Sequence, residues 1–382
     1  MSGTSADGIN VALLRMAGRG LRTRFRLLEH RQYAYPRAVR QAVLGAMNAR
    51  SASVAELARL NFLLGELYAE AIQKTLRRAK LKSVDLVGCH GQTIYHQGER
   101  AAFLGRKISA TWQTGEGAVV AARVGAPVVS DFRPADIAAG GKGAPLVPFL
   151  DYLVYRDRRV GRIVQNIGGI ANLTAMPAGA GPDEVIAFDT GPGNMVIDAL
   201  MERLYRQPYD RDGRVATRGR VLNNVLAKLL RHPFFGRRPP KAAGREEFGR
   251  EFVAHVLRLG RGARKQDLVT TATALTARSI GAAIREFVFT TEARRHRGRA
   301  GFRDYVVSGG GARNKALVRM IGAEVGALGL AMRDSDEFGV PSEAKEAVAF
   351  AVLAYQTWLR KPGNVPSATG ARRAVVLGKV SF

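Results

Sequence analysis

Residues 162–174 have the sequence RIVQNIGGIANLT, in which two apolar strand-like runs are joined by Gly168 and Gly169. Glycines inside such a run indicate a bend or the close approach of a ligand to the backbone. A third apolar run, VIAF at 185–188, ends at Asp189 and is followed by Gly-Pro-Gly and a helical pattern. Because short apolar runs alternate with helical stretches along the chain, the sequence predicts an α/β fold.

The spacing of apolar residues predicts the other elements. The run from Leu57 to Ile72 predicts a long helix over 52–80, with a serine at 51 or 53 as its cap. We expect further helices at 194–206, 218–231, 246–260, 270–288, 313–328 and 342–360, and further strands at 11–16, 22–28, 84–88, 128–130, 304–307 and 374–377. The stretch 134–148 is rich in Gly, Ala and Pro and is expected to be a structured loop with a hinge.

The composition restricts the class of protein. The 382 residues include 59 Lys and Arg against 32 Asp and Glu, which gives a formal charge of +27. The densest basic cluster, Arg294 to Arg299, lacks the interleaved aromatic residues that stack on bases, so we expect attraction of an anionic small substrate rather than nucleic-acid binding. No apolar run approaches the roughly 18–20 residues that cross a bilayer. The chain opens without a signal-peptide pattern, and its one cysteine, Cys89, favours a reducing, cytoplasmic location.

Three turns rich in small residues are candidates for nucleotide binding. MSGTSADG at 1–8 and NIGGIAN at 166–172 bring backbone N–H groups close enough to hold a phosphate. SGGGARN at 308–314 joins a strand to a helix, and its glycines allow a base or a ribose to lie on the backbone. An ordinary hairpin turn, a packing bend and a flexible loop are the respective structural alternatives.

The candidate catalytic residue is Asp189, because a carboxylate at the end of a buried strand is a common position for a general base. The alternative is that Asp189 caps the helix near Met195. His90 and Asp131 also follow predicted strands, where α/β proteins bind ligands, and Arg133 suits a substrate carboxylate. The sequence contains no P-loop motif, no dinucleotide-binding motif and no Cys/His cluster with metal-site spacing.

Taken together and in order, these motifs are far more specific than any one of them. They are MSGTSADG at 1–8, GCHGQT at 88–93, SDFR at 130–133, GGKGAPLVP at 140–148, NIGGIANLT at 166–174, FDTGPGN at 188–194, VSGGGARN at 307–314, EAKEAVAF at 343–350 and PSATG at 366–370. Over essentially its whole length, the chain closely resembles the anhydro-N-acetylmuramic acid kinases.

The resemblance implies a fold of the actin/hexokinase/Hsp70 superfamily, with two ribonuclease-H-like lobes around a central cleft for ATP and substrate. The N-terminal lobe would comprise 1–131 and 343–382, with the first phosphate loop and sugar contacts. The C-terminal lobe, 132–342, would carry the second phosphate loop, the catalytic aspartate and the nucleoside site. Family members have a short strand before the MSGTS motif, so we expect an unpaired edge beside the first strand.

The resemblance also implies the activity and its residues. The family uses ATP and water to convert 1,6-anhydro-N-acetylmuramic acid into N-acetylmuramic acid 6-phosphate during cell-wall recycling, with Mg²⁺ as cofactor, and its members are commonly homodimers. Asp189 would be the base, and Glu346 would help to hold the water. The residues implied for ATP are Gly3, Thr4, Ser5, Ala6, Asp7, Gly8, Ile9, Asn10, Gly168, Gly169, Gly309, Gly310, Gly311 and Asn314. Those implied for the sugar are His90, Gln92, Asp131, Arg133 and Asn194, and Asp7 is the candidate metal contact.

Three other functions are alternatives at this stage. One is another sugar or carboxylate kinase of the same superfamily, in which Asp189 would deprotonate a hydroxyl group. Another is an ATP-gated binding protein without a small-molecule acceptor. The third is nucleic-acid binding driven by net charge.

Overall fold

The computed structural model describes residues 1–3, 6–289 and 301–382. The chain divides into two compact units, the first formed by Met1–Leu153 with Gly339–Phe382 and the second by Val154–Phe338. The first change of unit therefore comes later in the chain than the boundary expected at 131/132. The physical reason is that the buried carboxylate of Asp136 accepts hydrogen bonds from Asn364 and Thr369, both at 2.7 Å, which ties the 134–148 stretch to the first unit.

The strands and helices confirm the predicted α/β class. The strands are β1 Gly8–Ala17, β2 Arg24–Ala34, β3 Val87–Gly88, β4 Gln92–Phe103, β5 Arg106–Thr114, β6 Val128–Ser130, β7 Gly161–Ile167, β8 Ile170–Met176, β9 Ile186–Pro192, β10 Phe302–Ser308, β11 Ala331–Asp334 and β12 Lys379–Ser381. The α-helices are α1 Arg37–Ala46, α2 Val54–Arg78, α3 Gly117–Val124, α4 Phe132–Ala138, α5 Pro148–Tyr155, α6 Met195–Tyr205, α7 Asn223–Leu229, α8 Pro233–Gly236, α9 Arg245–Phe248, α10 Arg250–Leu259, α11 Lys265–Ala283, α12 Lys315–Gly326, α13 Lys345–Trp358 and α14 Pro366–Thr369.

The second unit contains a five-stranded sheet in the order β11-β10-β7-β8-β9. β7, β8 and β9 are antiparallel neighbours, whereas β10 and β11 join as parallel strands. Ile163, Ile167 and Leu173 are fully buried in the core that α11 and α12 share with the sheet. The second unit is therefore built on a mixed sheet that packs against helices.

The first unit has an antiparallel β1–β2 pair, a β12-β6-β3 sheet and a β4–β5 hairpin. α2 packs against β1 and α3, with Leu64 and Tyr68 in the core. Ser53 caps this helix as predicted, because its side chain accepts a hydrogen bond from the Glu56 N–H. The long helix therefore forms where its apolar spacing predicted it.

The edge of β1 that faces away from β2 lies beside a cavity. Within the described residues, β1 pairs with β2 and, at Asn10, with Met1 through hydrogen bonds of 2.8 and 2.9 Å. The cavity has a volume of about 480 Å³ and is lined by residues of β1, β3, α2 and α13, among them Leu13, Leu76 and Ala351. Beyond its pairing with Met1, this edge of β1 therefore borders the cavity.

Several predicted bounds were wrong. The run 374–377 is not a strand, because Leu377 is buried without ladder pairing and the pairing with β6 begins at Lys379. The helix predicted at 246–260 is divided at Gly249, whose backbone is not helical, into α9 and α10. The strand predicted to end at Asp189 continues to Pro192.

Across the described part of the chain, no helix combines the length and the apolar character needed to span a membrane.

Candidate active site

The first candidate phosphate turn precedes β1 in the first unit. The Ala6 N–H donates to the Gly3 carbonyl at 3.1 Å, and Ala6 has a left-handed φ of 52°. Gly8 has a φ of 159°, and a Cβ at that position would lie 2.0 Å from the Tyr33 carbonyl oxygen, so β2 requires a glycine there. Ile9 and Ala6 bury their side chains in the core, which leaves only their backbone for a ligand. Thr4 and Ser5 lie outside the described residues.

A network of buried side chains holds this turn in place through hydrogen bonds. Ser2 Oγ lies 2.6 Å from Gln92 Oε1 and 3.0 Å from the Gly8 carbonyl oxygen, and it accepts a hydrogen bond from Tyr35 Oη. Gln92 Nε2 donates to the Gly3 carbonyl at 3.2 Å. The side chain of Gln92, expected from the resemblance to contact the sugar, is therefore bound to the turn. Sequence reasoning missed Ser2 and Tyr35, which have no distinguishing motif of their own.

The remaining polar positions of the turn differ in exposure. Asp7 is exposed and forms an ion pair with Arg40 at 3.3 Å. Asn10 uses its backbone to pair with Met1, while its buried Oδ1 has no hydrogen-bond partner among residues 1–3, 6–289 and 301–382. Asp7 is thus the carboxylate of the turn that solvent or a ligand can reach.

His90 and Arg133 form a second polar cluster in the first unit. His90 is buried, its Nδ1 lies 2.7 Å from the Gly91 carbonyl oxygen, and its Nε2 lies 2.9 Å from Arg133 Nη2. These contacts fit a neutral imidazole with the proton on Nδ1, because Nε2 must accept from the guanidinium. Burial and the charge of Arg133 lower the pKa of His90 well below its usual value. Arg133 also donates to the Gly143 carbonyl, and burial lowers its pKa to about 10, which leaves it charged at neutral pH.

Glu346 belongs to the same electrostatic environment. It lies in the first turn of α13. Desolvation by the surrounding protein raises the pKa of its carboxyl group, whereas the charges of Arg133, the amino terminus and Lys345 oppose that rise. The residue itself is exposed, so solvent screens part of this effect. The charge of Arg133, implied for the sugar, therefore acts on Glu346, which the resemblance implied for holding the water.

A cavity of about 270 Å³ adjoins this cluster. Its lining includes His90 and Asp131, together with Asn61, Trp112 and Glu116, which the sequence did not single out. Asp131 has a left-handed φ of 53°, and its carboxylate is paired with Lys379 at 2.9 Å. The exposed Trp112 ring offers an apolar face beside these polar groups.

In the second unit, three glycine-containing turns converge. The carbonyl groups of Gly168 and Gly169 accept hydrogen bonds from the N–H groups at the start of α6, including that of Asn194 at 2.8 Å. Gly309 has a φ of 88°, and a Cβ there would lie 2.7 Å from the Ile167 carbonyl oxygen. A Cβ at Gly311 would lie 2.2 Å from the Ile167 side chain and 3.2 Å from Asn194 Oδ1. The glycines at 309 and 311 are therefore required by the close approach of two chain segments.

The two asparagines predicted for this region have different roles. Asn314 is buried and caps α12, since its Oδ1 accepts a hydrogen bond from the Leu317 N–H at 3.0 Å. Its side-chain oxygen is thus used by the helix. Asn194 occupies the N-cap position of α6 without a side-chain capping bond, and its amide nitrogen lies about 4.0 Å from the position of a Cβ at Gly310. Asn194 therefore lies with the glycine turns.

Asp189 lies within β9, opposite Asn172 of β8 and beside an irregularity in the register of that pair. Its side chain is partly buried, and its Oδ2 accepts a hydrogen bond of 2.7 Å from the Ala243 N–H. Burial raises the pKa of Asp189 to about 7, the nearby Glu246 and Glu247 add to the rise, and the Ala243 N–H and Lys241 oppose it. Asp189 does not cap α6, where Asn194 holds the N-cap position, so the structural alternative is wrong.

Comparison with known proteins gives the family. The family model described as anhydro-N-acetylmuramic acid kinase matches residues 1–382. The chain belongs to the anhydro-N-acetylmuramic acid kinase family. Among its relatives, the anhydro-N-acetylmuramic acid kinase of Caldanaerobacter subterraneus subsp. tengcongensis is 44% identical over 388 residues, covering 100% of this chain and 96% of the relative. That of Bacillus cereus (strain AH187) is 41% identical over 384 residues, covering 100% and 98%.

Solved structures give more distant likenesses. The (R)-2-hydroxyglutaryl-CoA dehydratase component A of Acidaminococcus fermentans is 12% identical with a TM-score of 0.41, covering 91% of this chain and 98% of that chain. The ROK hexokinase of Thermus thermophilus is 12% identical with a TM-score of 0.35, covering 90% and 99%.

Membership of the anhydro-N-acetylmuramic acid kinase family makes the chain a phosphotransferase. Such an enzyme needs a base for water, donors for phosphate oxygens and a binding surface for the sugar. A carboxyl group with a pKa of about 7 is suited to the first task at neutral pH, because it is partly ionised and still basic enough to take a proton.

The arrangement of the carboxylates determines how this kinase could hold a metal ion. In residues 1–3, 6–289 and 301–382, no group of three or more His, Cys, Asp or Glu side chains is arranged to hold a metal ion. Mg²⁺ in phosphotransferases usually keeps several waters and is held by substrate phosphates and one or two carboxylates. The exposed Asp7 on the first turn fits that limited requirement.

Proposed function

We propose that this chain uses ATP and water to convert 1,6-anhydro-N-acetylmuramic acid into N-acetylmuramic acid 6-phosphate and ADP, in the recycling of cell-wall fragments. The family match over the whole length supports this reaction. The single observation that carries the assignment of the base is the Asp189 carboxylate, which is held at one oxygen by the Ala243 N–H and has a pKa near neutrality.

The reaction joins a hydrolysis to a phosphoryl transfer. Water forms a bond to C1 of the sugar and gives one proton to Asp189, while the C1–O6 bond breaks. The O6 atom keeps the electron pair of that bond and attacks the γ-phosphorus, and the bond between the γ-phosphorus and the β–γ bridging oxygen breaks to release ADP. An ordinary glycosidase protonates the leaving oxygen, whereas here the phosphoryl group takes that role, so one base is sufficient.

We assign the base to Asp189. Its Oδ2 is occupied by the Ala243 N–H, and we propose that Oδ1 accepts the proton of the water. General-base catalysis of this kind contributes about 10²–10⁴-fold to the rate. The raised pKa improves the proton affinity of the carboxylate without leaving it fully protonated at neutral pH.

We assign sugar contacts to the polar cluster of the first unit. Glu346 helps to hold the water, and the guanidinium of Arg133 binds the lactyl carboxylate of the sugar. His90 orients Arg133 through its Nε2, at 2.9 Å from Nη2. Asp131 and Trp112 line the adjoining cavity, which suits the polar and apolar faces of a pyranose ring.

We assign the nucleotide to the glycine turns. The first turn, Gly3 to Asn10, and the second, Gly168–Gly169, contact the phosphates, and Gly309–Gly311 borders the nucleoside. Mg²⁺, with Asp7 as its protein contact, neutralises phosphate charge when bound. We further propose a cytoplasmic homodimer, a state that light scattering of the purified chain tests directly.

The decisive experiment is product analysis by mass spectrometry after reaction with the anhydro-sugar, ATP and ¹⁸O-labelled water. We expect one ¹⁸O at C1 and an unlabelled phosphate ester at O6. Phosphorylation of sugars with a free C1 hydroxyl, and none of the anhydro-sugar, would instead indicate another sugar kinase. Asp189→Asn serves as the matched control, because it keeps the size and the acceptor oxygen of the side chain.

A further inference from the structure

The segment that follows the cis Pro239–Pro240 bond forms two hydrogen bonds with Asp189. The Asp189 N–H donates to the Lys241 carbonyl at 3.0 Å, and the Ala243 N–H donates to Asp189 Oδ2 at 2.7 Å. The orientation of the carboxylate therefore depends on where the backbone of residues 241–243 lies. A residue that fixes this backbone also fixes the carboxylate.

The side chain of Lys241 provides such an anchor. Lys241 is 7% exposed, and its Nζ donates to the carbonyl groups of Phe234 at 3.3 Å and Phe235 at 3.0 Å. The ammonium also lies 4.5 Å from the ring centroid of Phe287, 4.8 Å from that of Phe234 and 5.7 Å from that of Phe188. Carbonyl oxygens and aromatic faces both favour a cation, so this site is built to hold a charged ammonium.

A buried lysine in an apolar surrounding is costly, and leucine or methionine would fill the same space without that cost. The alternative is that Lys241 only anchors the backbone of residues 241–243. Its position indicates a second role, an electrostatic one. The Lys241 carbonyl accepts a hydrogen bond from the Asp189 N–H, and Phe188, one of the rings around the ammonium, directly precedes Asp189 in the sequence. A positive charge near a carboxylate favours its ionised form.

We propose that Lys241 is a positioning residue for the general base: its ammonium, bound by the Phe234 and Phe235 carbonyls and the surrounding rings, holds the Ala243 N–H against Asp189 and favours the ionised form of that carboxylate. This inference rests on the proposed function, in which Asp189 accepts a proton from water. Lys241 itself touches neither substrate nor nucleotide in this scheme.

The charges that face the two groups set the direction of the effect. Glu246 and Glu247 raise the pKa of Asp189, and Lys241 lowers it. Burial lowers the pKa of Lys241 to about 8, Arg237 adds to that lowering, and Glu286 and Asp189 oppose it. Lys241 therefore remains mainly charged at pH 7, where the base must be ionised.

The test measures the pKa of Asp189 directly, by ¹³C NMR of the full chain labelled at aspartate Cγ, with the signal assigned by its absence in Asp189→Asn. In Lys241→Met we expect the midpoint to rise, by a few tenths up to about one pH unit, because the opposing cation is lost. Lys241→Arg keeps the charge and should restore a midpoint close to that of the unaltered chain. Lys228→Met, on the exposed face of α7, is the matched control and should leave the midpoint unchanged.

The pH profile of kcat/KM for the anhydro-sugar provides the kinetic counterpart. We expect its acidic limb to move upward by the same amount in Lys241→Met, so that kcat/KM falls by up to about tenfold at pH 6 and by less at pH 8.5. A purely structural anchor would lower kcat/KM equally at all pH values and leave the NMR midpoint in place. That result would overturn the proposal.

Two further outcomes keep the inference separate from the proposed function. If the unaltered chain fails to phosphorylate the anhydro-sugar while the NMR midpoint still rises in Lys241→Met, the reaction is wrong and the coupling between the two residues stands. If Lys241→Met does not fold, Lys241→Gln takes its place, since it removes the charge and keeps a donor for the Phe234 and Phe235 carbonyls. An unchanged Asp189 midpoint in that variant would then refute the coupling.

Discussion

Replacing Asp189 with Asn should remove turnover and at the same time stabilise the fold. Asn keeps an acceptor oxygen for the Ala243 N–H, so the hydrogen bond of 2.7 Å can persist. It cannot accept a proton from water, and we therefore expect turnover to fall by about 10²–10⁴-fold. Binding of ATP should change little, because the candidate nucleotide turns do not depend on this carboxylate.

The gain in stability follows from the displaced pKa of the carboxyl group. Its pKa is about 7 in the folded chain, against 3.8 for an ordinary aspartate. At about 1.4 kcal/mol per pKa unit, this difference corresponds to about 4 kcal/mol, and partial solvent contact reduces it to about 2–4 kcal/mol. Because the folded-state pKa is raised, the folded chain binds the proton more tightly than the unfolded chain. The contribution of this group is fully present below pH 4 and is lost as the pH rises to 7.

Denaturant unfolding of both proteins at pH values from 4 to 8.5 measures this directly. The two curves should nearly coincide at pH 4, separate between pH 4 and 7 with Asp189→Asn the more stable, and stay parallel above pH 7. Two results would refute the reasoning that makes Asp189 a desolvated base. One is that the two proteins are equally stable at both pH 4 and pH 8, and the other is that the variant keeps more than a tenth of normal turnover.

Three other predictions concern the supports of the site. Gln92→Leu removes hydrogen bonds to Ser2 and to the Gly3 carbonyl, so the free energy of unfolding should fall by about 1–3 kcal/mol and KM for ATP should rise. An unchanged KM would show that Gln92 does not support nucleotide binding by the turn. Gly309→Ala should cost about 2 kcal/mol or more and impair ATP binding in calorimetry, because its φ is 88° and its Cβ would meet backbone. Gly326→Ala, at the end of α12, is the control: its Cβ would meet nothing within 4 Å, and ATP binding should stay normal. His90 should show no NMR titration between pH 8 and 5.5, and because its pKa is lowered, the stability that it contributes is lost as the pH falls below 6.5; a midpoint near 6.5 would contradict its burial beside a cation.

The parts of the fold that local patterns control could be predicted from the sequence. The helix that Ser53 caps and the strands around Gly168–Gly169 follow from short-range periodicity and turn residues. The β4–β5 hairpin could not be found in this way, because it is largely exposed and its strands carry many polar residues. The apolar run at 374–377 looked like a strand because burial and strand pairing favour the same residue types.

The residues of the candidate site also differ in whether the sequence predicts them. Asp189 and the glycine turns could be recognised from residue type and position along the chain. The supporting partners could not, because they come from distant segments: Ser2 meets Gln92 across 90 positions, and the Asp189 carboxylate meets the Ala243 N–H across 54. Lys241 had no motif, since its ammonium is bound by backbone carbonyls and ring faces that any sequence could supply.

The buried hydroxyl of Ser2 has a consequence for the first turn. A serine carries a single hydroxyl proton, yet two acceptors lie within reach, the Gly8 carbonyl of the turn and Oε1 of Gln92 at the start of β4. The proton can serve only one of them at a time. Rotation about one side-chain bond therefore moves the hydrogen bond of this hydroxyl between the turn itself and the neighbouring hairpin, without any movement of the main chain.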